Sequence, residues 1–80
     1  MLKAPSHHAL LVAVRSPYWL QISVASTDAR TWLERAAPAF GDLERIEHSE
    51  YTYNLFVDAR HDPQDVAQYL ATQAWAAEAA

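Results

Sequence analysis

Hydrophobic and polar residues alternate in two stretches of the chain, residues 18–24 and 51–57. Successive side chains of a strand point to opposite faces, so each alternation predicts a β-strand that buries one of its faces. The hydrophobic register consists of Tyr18, Leu20, Ile22, Val24, Tyr51, Tyr53, Leu55 and Val57. These residues are the predicted core face of a sheet, together with Leu10, Val12 and Val14 of the apolar run that precedes the first stretch.

That apolar run is joined to the first alternating stretch by Ser16 and Pro17, a short connection typical of a hairpin. Residues 43–58 are strand-like over a length well beyond that of ordinary strands. We therefore predict a break at residues 47–50, which leaves strands at 43–47 and 51–58. The alternative is one long, bent strand with a bulge near His48.

Two segments have the 3.6-residue period of a helix. The first begins after Ser26 or Thr27, either of which can cap it, and Pro38 predicts its end or a kink near Ala37. Gly41 is expected to let the chain turn out of that helix. The apolar stripe of the first helix consists of Ala29, Trp32, Leu33, Ala36 and Phe40.

The second helix is predicted to start with Asp62 as N-cap and Pro63 at the first helical position, with Asp65 in the first turn. Its apolar stripe consists of Val66, Leu70, Ala74 and Ala77. Trp75 falls almost opposite that stripe and is a candidate contact residue.

The element order is therefore ββαββα, which predicts a single α+β domain over residues 1–80, with residues 1–7 as a loose lead-in. Two helices would cover one face of a mostly antiparallel sheet in a two-layer sandwich, a circular permutation of the ferredoxin-like order βαββαβ. The alternative, with one strand in place of two in the middle, is ββαβα. The similarity of SPYWLQISV to SEYTYNLFV also suggests two repeated hairpin-plus-helix units.

The opposite register of the strands defines an open face without a helix over it. Its predicted residues are Leu11, Trp19, Gln21, Ser23, Thr52, Asn54 and Phe56. Aromatic and uncharged polar side chains of this kind are typical of the centre of a protein interface. The alternative is that the N-terminal segment or a loop covers Trp19 and Phe56.

Charge and composition narrow the classes of function. Six Lys and Arg residues against ten Asp and Glu residues give a net charge of −4, and the six bases are scattered, which argues against nucleic acid as a partner. The chain has no cysteine, which excludes thiolate metal sites, and its single glycine argues against a Gly-rich phosphate loop. No cofactor and no membrane span are expected, and the composition fits a cytoplasmic protein.

Acidic residues fall into two clusters. They can form an acidic rim that attracts a basic partner protein. The alternative is that they are a solvated surface that keeps the protein soluble. The first cluster consists of Asp42, Glu44, Glu47 and Glu50, with Arg45 among them. The second consists of Asp58, Asp62 and Asp65.

No catalytic residues are predicted, because no nucleophile or acid–base motif is present. No metal site is predicted either, although His48 and His61, with Asp58 and Asp62, are weak candidates for a metal or small-ligand site. His7 and His8 do not have the spacing of a helical zinc pair. A hydrolase-like site that uses Arg15 and Asn54 is a third hypothesis.

The leading hypothesis is a small, non-catalytic protein-interaction module with a regulatory or inhibitory role. It would dock a protein partner through the open face or the acidic rim, and it is expected to form a homodimer through that face, an unpaired strand edge or Trp75. The predicted contact residues are Trp19, Gln21, Thr52, Asn54, Phe56, Glu44, Glu47 and Glu50.

Overall fold

A computed structural model describes residues 10–79 of the chain, with side chains through residue 73. Residues 1–7 and the side chain of Trp75 therefore lie outside the described part. The elements in chain order are strand β1 (Leu10–Ser16), strand β2 (Trp19–Val24), helix α1 (Thr27–Ala36), a 3₁₀ turn (Ala37–Ala39), strand β3 (Gly41–Arg45), strand β4 (Thr52–Val57) and helix α2 (Pro63–Ala79).

The four strands form one antiparallel sheet in the order β1-β2-β4-β3. With the two helices packed on the sheet, this is the predicted two-layer α+β sandwich. The order is the one obtained when the last strand of a ferredoxin-like sheet is moved to the front of the chain. A turn at residues 46–51 separates β3 from β4, so the ββαβα alternative is wrong. Strand β3 begins two residues earlier than the sequence pattern indicates.

The core lies between the sheet and the helices and follows the predicted register. Its buried residues are Leu10, Leu20, Ile22, Val24, Ala29, Leu33, Ala37, Tyr53, Leu55, Val57, Val66 and Leu70. Three members of the predicted core face are exposed instead: Val14, Tyr18 and Tyr51. Tyr18 and Tyr51 precede their strands in turns, and Val14 lies beside a bulge in the edge strand β1, so no helix reaches them.

Helix α1 begins and ends where its sequence indicates. Ser26 is the N-cap, since its Oγ accepts a hydrogen bond from the backbone N–H of Ala29 at 3.2 Å. The helix gives way to the 3₁₀ turn that contains Pro38. Gly41 does not turn the chain out of the helix. It is the first residue of β3 and pairs with Val57, which corrects the expectation from its position after the helix.

Helix α2 starts as predicted, with Pro63 as its first residue. The carboxylate of Asp62 accepts a hydrogen bond from the backbone N–H of Gln64 at 2.9 Å, as expected of a capping residue. Val66 and Leu70 from the predicted stripe are buried against the sheet and α1.

The two halves of the chain build equivalent elements, as the similarity of their sequences suggests. Strands β2 and β4 each contain six residues, have the same alternation of buried and exposed positions, and pair with each other at the centre of the sheet. Each is preceded by its edge strand and followed by its helix. The open sides of β2 and β4 therefore meet in the middle of the uncovered face.

Candidate functional site: the open sheet face

The sheet surface opposite the helices is built in rows across the strands. One row carries Leu11, Ser23 and Thr52; a second carries Ala13, Gln21, Asn54 and Glu44; a third carries Trp19, Phe56 and Asp42. We call this surface the open face. It brings together six of the predicted contact residues, five on β2 and β4 and Glu44 on β3, because β4 pairs with both β2 and β3.

An aromatic pair lies on the two central strands of the open face, in the row where β2 begins and β4 ends. Trp19 and Phe56 are paired across β2 and β4, and their rings stack with a centroid distance of 6.5 Å and an interplanar angle of 16°. Phe56 keeps 44% of its surface exposed. The indole N–H of Trp19 donates to Oδ1 of Asn54 at 3.0 Å. The ring of Trp19 is thus held in one orientation, with its polar group already satisfied.

The polar side chains of the open face are also held by one another. Arg15 donates from Nε and Nη2 to Oε1 of Gln21, at 2.9 and 2.7 Å. The hydroxyl groups of Thr52 and Ser49 are hydrogen-bonded to each other at 3.0 Å. The face is therefore a preorganised surface, and a partner would not have to order these groups on binding.

The charges of the open face lie at its two edges and not at its centre. Exposed Asp42 and Glu44 project from β3, and exposed Arg15 lies on β1 at the other side of the sheet. The described ion pairs join Arg30 to Glu34 and Arg60 to Asp58, so these three residues have no such partner in the described part of the chain. A neutral centre with charged edges is the usual anatomy of a protein contact surface.

The predicted acidic residues follow the β3 side of the sheet. Glu47 and Glu50 are exposed in the turn between β3 and β4. Asp58 follows the opposite end of β4 and forms an exposed ion pair with Arg60 at 3.5 Å. Asp42 and Glu44 lie between them on β3, beside exposed Arg45. We call these five carboxylates on the β3 side the acidic rim.

The two candidate histidines do not form one site. His48 lies in the turn before β4, in a polar surface cavity of about 280 Å³. His61 lies after β4, with its ring 5.3 Å from that of Phe40. Because the six residues of β4 span about 20 Å, one metal ion cannot bind both histidines. No group of three or more metal-ligating side chains occurs in the part of the chain that the structure describes.

The two residues of the hydrolase-like hypothesis, Arg15 and Asn54, are both hydrogen-bonded within the open face. The guanidinium of Arg15 is engaged by Gln21, and the amide oxygen of Asn54 accepts from Trp19. Both are parts of the hydrogen-bonded surface described above. Arg15 and Asn54 therefore help to fix the arrangement of side chains on the open face.

Sequence reasoning left Arg15 and Asp42 out of the open face. Each could have been found from its parity, because Arg15 shares the register of Leu11 and Ala13, and Asp42 shares that of Glu44. A second omission is the contact of Phe40 with His61 and Tyr69. No local pattern indicates it, since it depends on how α2 packs beside the 3₁₀ turn.

A comparison of the chain with known protein families, curated proteins and solved structures found no match. Within residues 10–79, neither helix combines the length and the hydropathy needed to cross a bilayer.

Proposed function

We propose that this protein is a small, non-catalytic interaction module that docks a partner protein through the open face and acts as a regulator or inhibitor in the cytoplasm. The observation that carries the proposal is the stacked pair of Trp19 and Phe56, partly exposed on the two central strands of a surface whose charges lie on its outer strands. Aromatic residues at the centre of a contact surface commonly contribute most of its binding free energy.

The hydrogen bonds of the open face support this function on energetic grounds. Burying an unpaired indole N–H or amide oxygen in an interface costs free energy. Trp19 and Asn54 satisfy each other, so a partner can cover both without that penalty. The apolar surface of Phe56 and Leu11, the latter 61% exposed, would then add a favourable hydrophobic contribution.

The acidic rim supports a partner with basic residues around its own contact surface. Complementary charges at the edge of an interface mainly accelerate association and exclude wrong partners. We therefore expect binding to a basic partner to slow as salt concentration rises, since salt screens exposed charges.

The proposal is tested by quantitative affinity capture from the native host with three forms of the chain. Phe56→Ala removes the exposed ring on a central strand of the open face, and Tyr18→Ala removes the ring of a residue that is 53% exposed outside that face. We expect a partner whose capture is lost with Phe56→Ala and retained with Tyr18→Ala. Equal capture by all three forms would contradict docking through the open face.

A second candidate function, small-ligand binding, is favoured by the surroundings of His61. A surface cavity of about 520 Å³ is lined by Phe40, Arg60, His61, Asp62, Asp65, Val66 and Tyr69. Nε2 of His61 is buried and has no hydrogen-bond partner, which is unusual for a polar atom in a folded protein. A ligand with a hydrogen-bonding group could satisfy it.

This second function is tested by NMR with a library of small polar molecules and by calorimetry with zinc, nickel and copper. Binding at this cavity should be abolished by His61→Ala and unaffected by His48→Ala, because His48 lies at the other end of β4. The absence of any shift or heat with the wild-type chain would eliminate the site.

A further inference from the structure

The two edges of the open face carry charges of opposite sign. Its one cationic side chain within the described residues, Arg15, lies on β1, and its two carboxylates, Asp42 and Glu44, lie on β3. Strands β2 and β4 separate these edges, a distance of about 14 Å at the usual strand spacing. Trp19 and Phe56 lie midway between them.

From this arrangement we propose that the open face binds a second copy of this chain, so that two sheets stack face to face about a two-fold axis parallel to the strands. The inference rests on the proposed function of the open face and names its partner. In a two-fold interface the same surface serves both subunits, and each contact between two different residues occurs twice.

The axis parallel to the strands follows from the charges. It passes between β2 and β4 and reverses the order of the strands, so β1 of one subunit lies over β3 of the other. Arg15 then faces Asp42 and Glu44 of the second copy at both edges. A two-fold axis perpendicular to the strands would instead place β1 over β1, with Arg15 opposite Arg15 and carboxylates opposite carboxylates.

The same axis brings the aromatic pairs of the two subunits together. Trp19 on β2 lies opposite Phe56 on β4 of the second copy, and the reverse contact follows by symmetry. Two stacked pairs thus form a cluster of four aromatic rings between two sheets about 10 Å apart, the spacing of packed sheets in β-sandwiches. The cluster lies at the end of the interface where β2 begins and β4 ends. The charge pairs flank this cluster on two sides, along the outer strands.

The small area of the open face indicates that the dimer has a low affinity. Four strands of five to seven residues give a face of about 300–400 Å². Two such faces bury a total below about 1,000 Å², which is small for a stable complex. The dimer is therefore weak and concentration-dependent, and the experiment must cover about 1 µM to 1 mM.

The charge pattern allows a reciprocal test by analytical ultracentrifugation of the full chain. The first variant is Arg15→Glu, and the second combines Asp42→Arg with Glu44→Arg. Each variant alone places like charges opposite one another at both edges, so we expect its self-association to be at least about tenfold weaker than that of the wild type. All three positions are exposed, so folding should be retained, which circular dichroism verifies.

The decisive measurement is an equimolar mixture of the two variants. In a mixed dimer, both edges again pair opposite charges, so the mixture should recover the association that each variant has lost. Arg45→Glu is the matched control, because Arg45 is exposed on β3 but belongs to the opposite register. It should associate like the wild type.

The outcomes separate this inference from the proposed function. A wild-type chain that stays monomeric to 1 mM, or a mixture that does not recover, overturns the two-fold dimer. Capture of a different protein that still depends on Phe56 would then leave the interaction module intact. Association that resists all the charge reversals would place the interface elsewhere, for example at the free edge of β1, and would also overturn the inference.

Discussion

Gly41 is an example of a residue type that is determined by a close contact between two strands. It is the only glycine of the chain, and no described glycine has a positive φ, so backbone freedom is not the reason for it. A Cβ at this position would overlap the carbonyl oxygen of Phe56 on the neighbouring strand. Glycine is required at Gly41 because two backbones approach closely there.

Gly41→Ala should therefore lower the free energy of unfolding by about 2–3 kcal/mol, because the backbone of β3 or β4 has to move. Urea denaturation followed by circular dichroism measures the change. Asp42→Ala, at the next and exposed position of β3, serves as control and should stay within about 0.5 kcal/mol of the wild type. Similar stabilities of the two variants would contradict the role of the close approach.

Tyr53 is a buried core residue whose polar group reaches out of the core. The residue is 2% exposed, and its hydroxyl oxygen accepts a hydrogen bond from Nε of Arg30 at 2.8 Å. This hydrogen bond is the main reason that the pKa of Arg30 is raised above its ordinary value. The interaction links α1 to β4.

Tyr53→Phe should lower the melting temperature by a few degrees, since it removes the acceptor without changing the packing of the ring. Tyr18→Phe, at an exposed position, should have no effect in the same thermal scan. A raised pKa adds stability that is complete below the ordinary value and is lost only as pH rises through the raised one. The difference between Tyr53→Phe and the wild type should thus be constant between pH 5 and pH 9, and a change in this range would contradict the assignment.

At the scale of elements, the ends of the helices are set by local chemistry. The sequence left the N-cap of α1 open between Ser26 and Thr27, and the structure assigns it to Ser26. The backbone of Ser26 is extended, as expected of a cap, and its hydroxyl oxygen satisfies one of the otherwise unpaired N–H groups of the first turn.

Ser26→Ala should destabilise the protein by about 1 kcal/mol, because the N–H of Ala29 loses its acceptor. Ser26→Asp should restore most of the stability, since a carboxylate can accept the same bond and suits the positive end of the helix dipole. Chemical denaturation measures both. Failure of the aspartate to rescue the loss would show that capping is not the main role of this side chain.

At the scale of the whole molecule, stability depends on one small core. A domain of this size has only a few kcal/mol of net stability, so every fully buried side chain contributes a large share. Leu33 of α1 is completely buried between the sheet and α2, and no disulfide supports the fold. Leu11 has the same side chain on the open face and is 61% exposed.

Leu33→Ala should cost about 2–5 kcal/mol through lost burial and the cavity it leaves, which is enough to unfold a substantial fraction of the protein at 25 °C. Leu11→Ala is the matched control and should change stability by less than about 0.5 kcal/mol. Circular dichroism and one-dimensional NMR distinguish the folded and unfolded populations. A folded Leu33→Ala variant of nearly wild-type stability would show that the core extends beyond the residues assigned to it.

The sequence by itself determined both helices, strands β1, β2 and β4, and the face that each of these strands buries, but it left open whether β3 is separate from β4. These features depend on local periods of two or 3.6 residues and on caps next to each helix, such as Ser26 and Asp62, so they can be read without knowledge of the fold. The polar and aromatic register that contains Trp19 and Phe56 was found in the same way.

Only the tertiary structure decided which of these residues meet. The pairing of β2 with β4 places Trp19 on Phe56, and the length of β4 separates His48 from His61. The edges of the sheet leave Val14 exposed and put the charges of Arg15 and Asp42 at opposite sides. Strand order joins residues far apart in the chain, and no local period encodes it, which is why the function proposed for the open face depends on the folded sheet.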